Sequence, residues 1–170
     1  PLVAFKEGRF ITDVMTSFGG GARLYQEAGA LEDLRSLPGF RNPIDGTGDA
    51  DVATVVGAGI TVFEALAAYD QLKAQGIAIR VIDLYSLAPV DKDALIAAGR
   101  ASKSRIITVE DHYPACGIGD AVAEAVGEAG ISVRRIAVRE IPRSGKPEEL
   151  VERYGISAEK MAASLKAWLR

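Results

Sequence analysis

Residues 52–57 read Val-Ala-Thr-Val-Val-Gly, a run that is almost entirely apolar and rich in β-branched side chains. Such runs are typical of strands that are buried on both faces of a parallel sheet. The following Thr61-Val62-Phe63-Glu64 fits a capping box, in which Thr61 and Glu64 satisfy free backbone N–H groups at the start of a helix. Gly76 is placed to end this helix in the left-handed conformation. The stretch therefore predicts a buried strand followed by a helix.

The alternation of strand and helix continues toward the C-terminus. Further strands are predicted at Ile77 to Leu84, Arg105 to Glu110 and Ile131 to Val138. Asp91 is the predicted N-cap of the helix between the first two of these strands, and a later helix begins after Ser157. Alternation at this spacing predicts right-handed crossovers and a sheet that is covered on both faces. The sequence therefore predicts an α/β domain over residues 51–170.

Residues 1–50 form a separate, irregular N-terminal segment in this interpretation. Their strand and helix signals are interrupted by clusters of glycine and proline. Leu2 to Phe5 is a candidate edge strand, and Ala28 to Leu37 is a candidate short helix. Because the start at Pro1 lacks a methionine and a basic leader, we expect the chain to begin inside a longer protein.

Composition narrows the range of functions. The 170 residues are 48% apolar, which suffices for one α/β domain with a core. With 20 basic and 23 acidic residues, the net charge of −3 favours neither nucleic acid nor an anionic membrane as a partner. Cys116 is the only cysteine, which excludes an internal disulfide and a cysteine-rich zinc site. A single cysteine suits a reducing compartment, so we expect a cytoplasmic protein.

Loops after the predicted strands are candidate binding sites, because ligands and partners usually face the carboxyl ends of strands. Gly57-Ala58-Gly59 is similar to a phosphate-binding turn, but Phe63 stands where that motif requires Gly or Ala, so a plain tight turn is the simpler interpretation. Glu110-Asp111-His112-Tyr113 offers groups for acid–base or metal chemistry. No second ligand cluster accompanies His112, and a polar loop that caps backbone N–H groups is the simpler interpretation of this segment.

Two later turns also carry candidate groups. Cys116-Gly117-Ile118-Gly119 precedes a helix, and its glycines allow close backbone packing, while Cys116 is either a reactive thiol or a small inert residue. Arg143, Ser144 and Lys146 form a candidate anion site, or simply an exposed turn before a helix that begins with proline. None of these patterns supplies a complete catalytic site within the chain.

Several of these segments, taken in order, resemble the transketolase family. The matching segments are Val55-Val56-Gly57-Ala58-Gly59, Glu64-Ala65-Leu66, Arg80-Val81-Ile82-Asp83-Leu84, Pro89-Val90-Asp91, Thr108-Val109-Glu110-Asp111-His112-Tyr113, Gly117-Ile118-Gly119 and Ile141-Pro142-Arg143-Ser144-Gly145-Lys146-Pro147-Glu148-Glu149-Leu150. Each segment alone is a weak signal, but their order and spacing together are specific. The resemblance covers residues 51–170 and is to the C-terminal domain of animal-type or split-subunit transketolases.

The resemblance implies a three-layer α/β/α fold with a mostly parallel five-stranded sheet. One antiparallel edge strand precedes the four parallel strands in that family, and Leu2 to Phe5 is the segment that would supply it here. Residues 9–50 do not match the family's lead-in. They are therefore an insertion, an engineered junction or a divergent linker.

The resemblance also implies a function. Transketolases use thiamine diphosphate and magnesium to transfer a two-carbon ketol unit between sugar phosphates in the pentose phosphate pathway. In that family the cofactor lies on the preceding pyrophosphate- and pyrimidine-binding domains, and this sequence lacks the Gly-Asp-Gly metal motif. The implied role is assembly with those domains and stabilisation of the parent homodimer, without catalysis by this chain alone. Glu110, His112, Gly117 and Gly119 are the candidate contacts, and a docking domain is expected to expose an apolar patch.

Other interpretations stay open at this point. Deoxyxylulose-phosphate synthase and the β-type subunit of 2-oxo acid dehydrogenases have a related C-terminal domain, although Asp111-His112-Tyr113 and Arg143-Ser144-Gly145-Lys146-Pro147 favour transketolase. A non-catalytic transketolase-like protein would carry the same domain. An interpretation from another class is a regulatory nucleotide-binding α/β module that uses the loops at the strand ends as a pocket.

Overall fold

The computed structural model describes residues 51–85, 87 and 90–169, together with the backbone of residues 4–6, 9–11 and 24–26. The chain divides into two compact units, Pro1–Pro43 and Ile44–Arg170. The first unit contains three short antiparallel strands: β1 (Ala4–Lys6), β2 (Arg9–Ile11) and β3 (Leu24–Gln26). The candidate helix at Ala28 to Leu37 lies outside the described residues.

The second unit is built on a parallel sheet of four described strands. These are β4 (Thr54–Gly57), β5 (Arg80–Asp83), β6 (Arg105–Glu110) and β7 (Ser132–Ala137). They lie in the order β5-β4-β6-β7, and all three pairings are parallel. The α/β prediction is confirmed. A fifth, antiparallel strand is not among the strands described for this sheet, and residues 4–6 pair with β2 instead.

Five helices accompany the sheet in the part of the chain that the structure describes. They are α1 (Ile60–Lys73), α2 (Lys92–Ala101), α3 (Ile118–Val126), α4 (Pro147–Arg153) and α5 (Ala158–Leu169), and a short 3₁₀ turn, Gly127–Ala129, follows α3. Asp91 caps α2 as predicted, since its Oδ1 accepts a hydrogen bond from Ala94 N–H at 3.0 Å. Gly76 follows α1 with φ 74°, the left-handed conformation that ends a helix at low cost.

Each face of the sheet is covered by one pair of helices. Leu72 of α1 and Leu165 of α5 belong to one buried cluster with Val81 of β5. Leu95 of α2 and Val122 of α3 belong to the other. Since burial of a large aliphatic side chain contributes about 1.5–3 kcal/mol, these two clusters are the main source of the domain's stability. The arrangement of two helix layers around one sheet matches the three-layer prediction.

The strand order reverses between β4 and β6. The chain leaves β4 through α1 toward β5 on one side, then returns through α2 on the opposite face to β6. In open α/β sheets, ligands and partners bind outside the carboxyl ends of strands at such a point. Gly57 ends β4 there, and Glu110 ends β6 beside it.

The predicted capping box at the start of α1 is wrong. Helix α1 begins at Ile60, and no side chain caps its first turn. Thr61 Oγ1 accepts a hydrogen bond from Ala58 N–H at 3.1 Å, which lies before the helix, and it donates to Val109 O at 2.9 Å, so that it joins α1 to β6. The Glu64 carboxylate accepts a hydrogen bond from Ala158 N–H at 2.8 Å and therefore caps α5, on the same side of the sheet.

Candidate functional site

Glu110 occupies the carboxyl end of β6 and points into the protein, with only 1% of its surface exposed. Its Oε2 accepts a hydrogen bond from Ile118 N–H at 2.7 Å, and its Oε1 accepts one from Gly119 N–H at 3.3 Å. These two N–H groups belong to the first turn of α3, where free donors and the helix dipole favour a negative charge. The carboxylate of Glu110 therefore ties the end of β6 to the start of α3 and closes the loop between them.

Two glycines make room for this connection. A Cβ atom on Gly117 would overlap the Glu110 carboxylate and lie 3.3 Å from His112 Nδ1. A Cβ atom on Gly119 would lie 2.7 Å from Arg135 Cδ. Gly117 has φ −108°, which other residues adopt readily, so close approach is the reason for glycine at this position.

A second set of polar contacts holds the same loop from its other side. Arg135 of β7 pairs with Asp120 at 2.6 Å and donates to Pro114 O at 3.2 Å. The other Asp120 oxygen accepts a hydrogen bond from Cys116 N–H at 2.5 Å. Cys116 has φ 60°, a region of backbone conformation that is unfavourable for residues other than glycine. The loop conformation is thus held by β6, α3 and β7 together.

The two carboxylates of the loop have pKa values shifted in opposite directions. Burial raises the pKa of Glu110, while the N–H groups of Gly119 and Ile118 and the charges of His112 and Arg135 oppose this shift. The hydrogen bond from Cys116 N–H, followed by the contact with Arg135, lowers the pKa of Asp120. The stability of the ionised form of Glu110 therefore depends on the hydrogen-bond donors around it.

His112 and Tyr113 form the outer surface of the loop. Both side chains are exposed, and their rings meet edge to face with centroids 6.4 Å apart. His112 Nδ1 lies 2.8 Å from Tyr113 O, and His112 O accepts a hydrogen bond from Val138 N–H at 3.0 Å. The loop therefore presents two aromatic rings to the outside from a fixed backbone.

The structure brings four of the predicted site residues together and leaves the others apart. Glu110, His112, Gly117 and Gly119 all belong to the loop and helix start just described. The exposed residues Arg143, Ser144 and Lys146 lie in the segment between β7 and α4. Lys146 Nζ approaches Glu149 at 4.0 Å, and α4 begins with a proline, which has no N–H to offer an anion.

Asp120 and Arg135 were missed as members of the site. A weak signal existed for Asp120, since an acidic residue in the first turn of a predicted helix interacts with free N–H groups. For Arg135 the signal is a charged residue inside a predicted buried strand, which calls for a partner. Neither signal identifies the partner, because Arg135 and Asp120 come from different elements.

Among the described residues, no group of three or more histidine, cysteine, aspartate or glutamate side chains is arranged to hold a metal ion. Likewise, none of the helices in the described ranges combines the length and apolar character needed to cross a membrane.

Comparison with known families identifies the domain. The model of the family described as transketolase, C-terminal domain, matches residues 47–161. This chain belongs to that family. The match includes β4 through α4 and the loop that Glu110 closes, so the resemblance deduced from the strand-end motifs is confirmed.

Relatives of this transketolase domain share about half of its residues over the matched region. Transketolase-like protein 1 of Macaca fascicularis is 52% identical over 121 residues, which are 71% of this chain and 20% of the relative. Transketolase of Homo sapiens is 49% identical over 117 residues, which are 68% of this chain and 19% of the relative. The chain therefore spans about a fifth of the length of these relatives.

A solved structure supports the same fold. The structure titled "Split gene transketolase, inactive beta4 tetramer" is 34% identical, with a TM-score of 0.67, and the match covers 75% of this chain and 41% of that one.

Proposed function

We propose that this chain is the C-terminal assembly domain of a thiamine-diphosphate-dependent transketolase, which transfers a two-carbon ketol unit between sugar phosphates. Membership of the family supports the parent activity. The observation that carries the assembly role is the loop closed by Glu110. Its buried carboxylate is bonded to two backbone N–H groups, and its outer face presents aromatic rings.

The polar groups of the loop serve to shape it. Glu110 is buried behind Gly117, and His112 Nδ1 lies against a neighbouring carbonyl oxygen. A catalytic site needs a nucleophile, a base and a charge-stabilising group that converge on one substrate position. We therefore assign chemistry to other domains of the parent enzyme, with His112 as a contact to them and Glu110, Gly117 and Gly119 as the residues that position the loop.

The described residues offer no cluster of side chains that would hold magnesium. We place magnesium and thiamine diphosphate on the pyrophosphate- and pyrimidine-binding domains of the parent enzyme. When bound there, thiamine diphosphate supplies a carbon nucleophile and an electron sink for the ketol unit. The present domain contributes no step to that chemistry.

The partners in this proposal are those two domains and a second copy of the parent enzyme in a cytoplasmic homodimer. The solved relative supports an assembly role, because it is a split-gene transketolase in the form of an inactive β4 tetramer. We leave Arg143, Ser144 and Lys146 as a separate anion-site hypothesis, since they lie on the exposed segment before α4.

Ketol transfer from xylulose 5-phosphate to ribose 5-phosphate tests the proposal. The assay contains thiamine diphosphate and magnesium, and it compares this chain alone with a mixture that includes a partner bearing the two missing domains. If only the mixture is active, the result supports an assembly domain. If the chain alone is active, the result contradicts the assignment of the chemistry to other domains. If neither sample is active, the result argues against the transketolase role.

A further inference from the structure

Four of the exposed large apolar side chains in the described part of the chain share one location. The exposed ones are Ile60 (39% exposed), Phe63 (50%), Leu87 (48%), Tyr113 (44%) and Ile141 (75%). The first two follow β4, Tyr113 follows β6 and Ile141 follows β7. Because these strands are parallel, those four residues lie beyond the same edge of the sheet, whereas Leu87 lines a depression beside α3.

The segments that carry Ile60, Phe63 and Tyr113 are held by internal hydrogen bonds. Thr61, between Ile60 and Phe63, is bonded to Val109 at the end of β6. The loop of Tyr113 is closed by Glu110, as described above. Binding through a surface that is already ordered loses less conformational entropy than binding through mobile loops. The edge is thus a preformed apolar surface.

Charge does not favour an anionic ligand at this edge. Ionisable residues of both signs lie within two positions of these apolar side chains: Glu64, Asp111, His112, Arg139, Glu140 and Arg143. Because acidic and basic groups are mixed, the edge offers no surface of a single sign to attract a phosphate or a nucleic acid. Burial of apolar area is therefore the main driving force that this surface offers to a partner.

We infer that Ile60, Phe63, Tyr113 and Ile141 anchor the docking of this domain onto an apolar face of the rest of the transketolase polypeptide. The inference rests on the proposed function and names the surface that performs it. The size of the relatives supports this occupant, because their matches cover only 20% and 19% of their length and belong to a C-terminal domain family. The larger part of each relative is therefore available to cover the surface.

Sedimentation velocity and calorimetry of mixed proteins test this surface. The probe is human transketolase produced without its own C-terminal domain, mixed with the full 170-residue chain. The variants are Phe63→Ser, Tyr113→Ser and Ile141→Ser. Gln75→Ser is the matched control, since Gln75 is exposed in the turn after α1, at the end of that helix far from the docking edge. Circular dichroism of every variant verifies that it is folded.

We expect each edge variant to weaken binding by about tenfold or more, as loss of an interface anchor does, while Gln75→Ser leaves affinity unchanged. If the unmodified chain binds and all three edge variants bind equally well, the inferred docking surface is wrong, but the proposed assembly role is not contradicted. If the unmodified chain does not bind, the proposed function fails with it. Another outcome is that the chain alone forms a dimer that the edge substitutions dissociate, while the affinity of the chain for the probe stays unchanged. In that case a second copy of the chain covers the surface, and the inference is overturned.

Discussion

The carboxylate of Glu110 and the backbone N–H of Ile118 form a 2.7 Å hydrogen bond between residues eight positions apart. This bond links the last residue of a central strand to the first residue of the next helix. It is buried, so water does not compete for the donor or the acceptor. The loop between the two residues is consequently part of the rigid scaffold, and its outer side chains are held in place.

Gly117→Ala is expected to destabilise the domain by about 1–3 kcal/mol, because the added methyl group overlaps the Glu110 carboxylate. Urea unfolding followed by circular dichroism measures the change. Gly127→Ala is the matched control, since Gly127 has helical φ and ψ and a Cβ there meets no atom within 4 Å. The control should be neutral or slightly stabilising. Equal losses in both variants would contradict the steric explanation.

Glu110→Gln is expected to change the pH dependence of stability. The pKa of Glu110 is raised in the folded state above its ordinary value of 4.5, mainly by burial. Its contribution to stability is therefore fully present below pH 4.5 and decreases as pH rises through the folded pKa. The unfolding free energy of the unmodified chain should fall relative to that of the glutamine variant across this window.

Urea titrations at a series of pH values upward from 4.5 measure this difference. Glutamine keeps one oxygen that accepts a hydrogen bond and removes the charge, so it isolates the effect of ionisation. A difference between the two proteins that stays constant, or grows in favour of the unmodified chain as pH rises, would show that burial does not dominate the ionisation of Glu110.

Asp120→Ala is expected to release the backbone N–H of Cys116, which loses its acceptor. Hydrogen exchange of that amide, followed by nuclear magnetic resonance, should become faster. In the unmodified chain the pKa of Asp120 is lowered, so protection should persist at its ordinary pKa of 3.8 and disappear only at more acidic pH. Glu124→Ala, one turn later on α3, serves as the control and should leave the exchange rate of Cys116 unchanged.

Glu64→Ala is expected to loosen α5, although Glu64 lies on α1. Its carboxylate accepts the hydrogen bond of Ala158 N–H, and loss of such a cap costs about 0.5–2 kcal/mol. Thermal unfolding measures the loss, with Gln71→Ala on the exposed side of α1 as the control. A loss in Glu64→Ala no greater than in the control would mean that the cap contributes nothing to stability.

Much of the fold was accessible from local sequence patterns. The β-branched run Arg105 to Glu110 predicted β6 with both of its ends correct, and Asp91 predicted the start of α2. Both signals act over a few neighbouring residues, as side-chain alternation and helix capping do. The four residues predicted as contacts, Glu110, His112, Gly117 and Gly119, lie together around one loop, and their role as contacts stays a prediction.

The wrong predictions concern hydrogen-bond partners and not the positions of helices and strands. Thr61 and Glu64 have the spacing of a capping box, yet Thr61 bonds to Val109 and Glu64 bonds to Ala158. Both partners lie far along the chain, and packing places them within reach. The Thr61 hydroxyl also accepts a hydrogen bond from Ala58 N–H at 3.1 Å, but that group lies before the helix and not in its first turn. A motif of four residues contains no information on which distant backbone groups the fold brings beside it.

The sequence by itself determined the family, the α/β class and the order of strands and helices after residue 51, including the position of the loop between β6 and α3. These features depend on periodicity, capping and glycine placement, which are properties of short segments. Only the tertiary structure decided that Arg135 pairs with Asp120, that Glu64 caps α5 and that Ile60, Phe63, Tyr113 and Ile141 share one edge. Those features depend on which strands become neighbours, and sheet order is set by the packing of the whole domain.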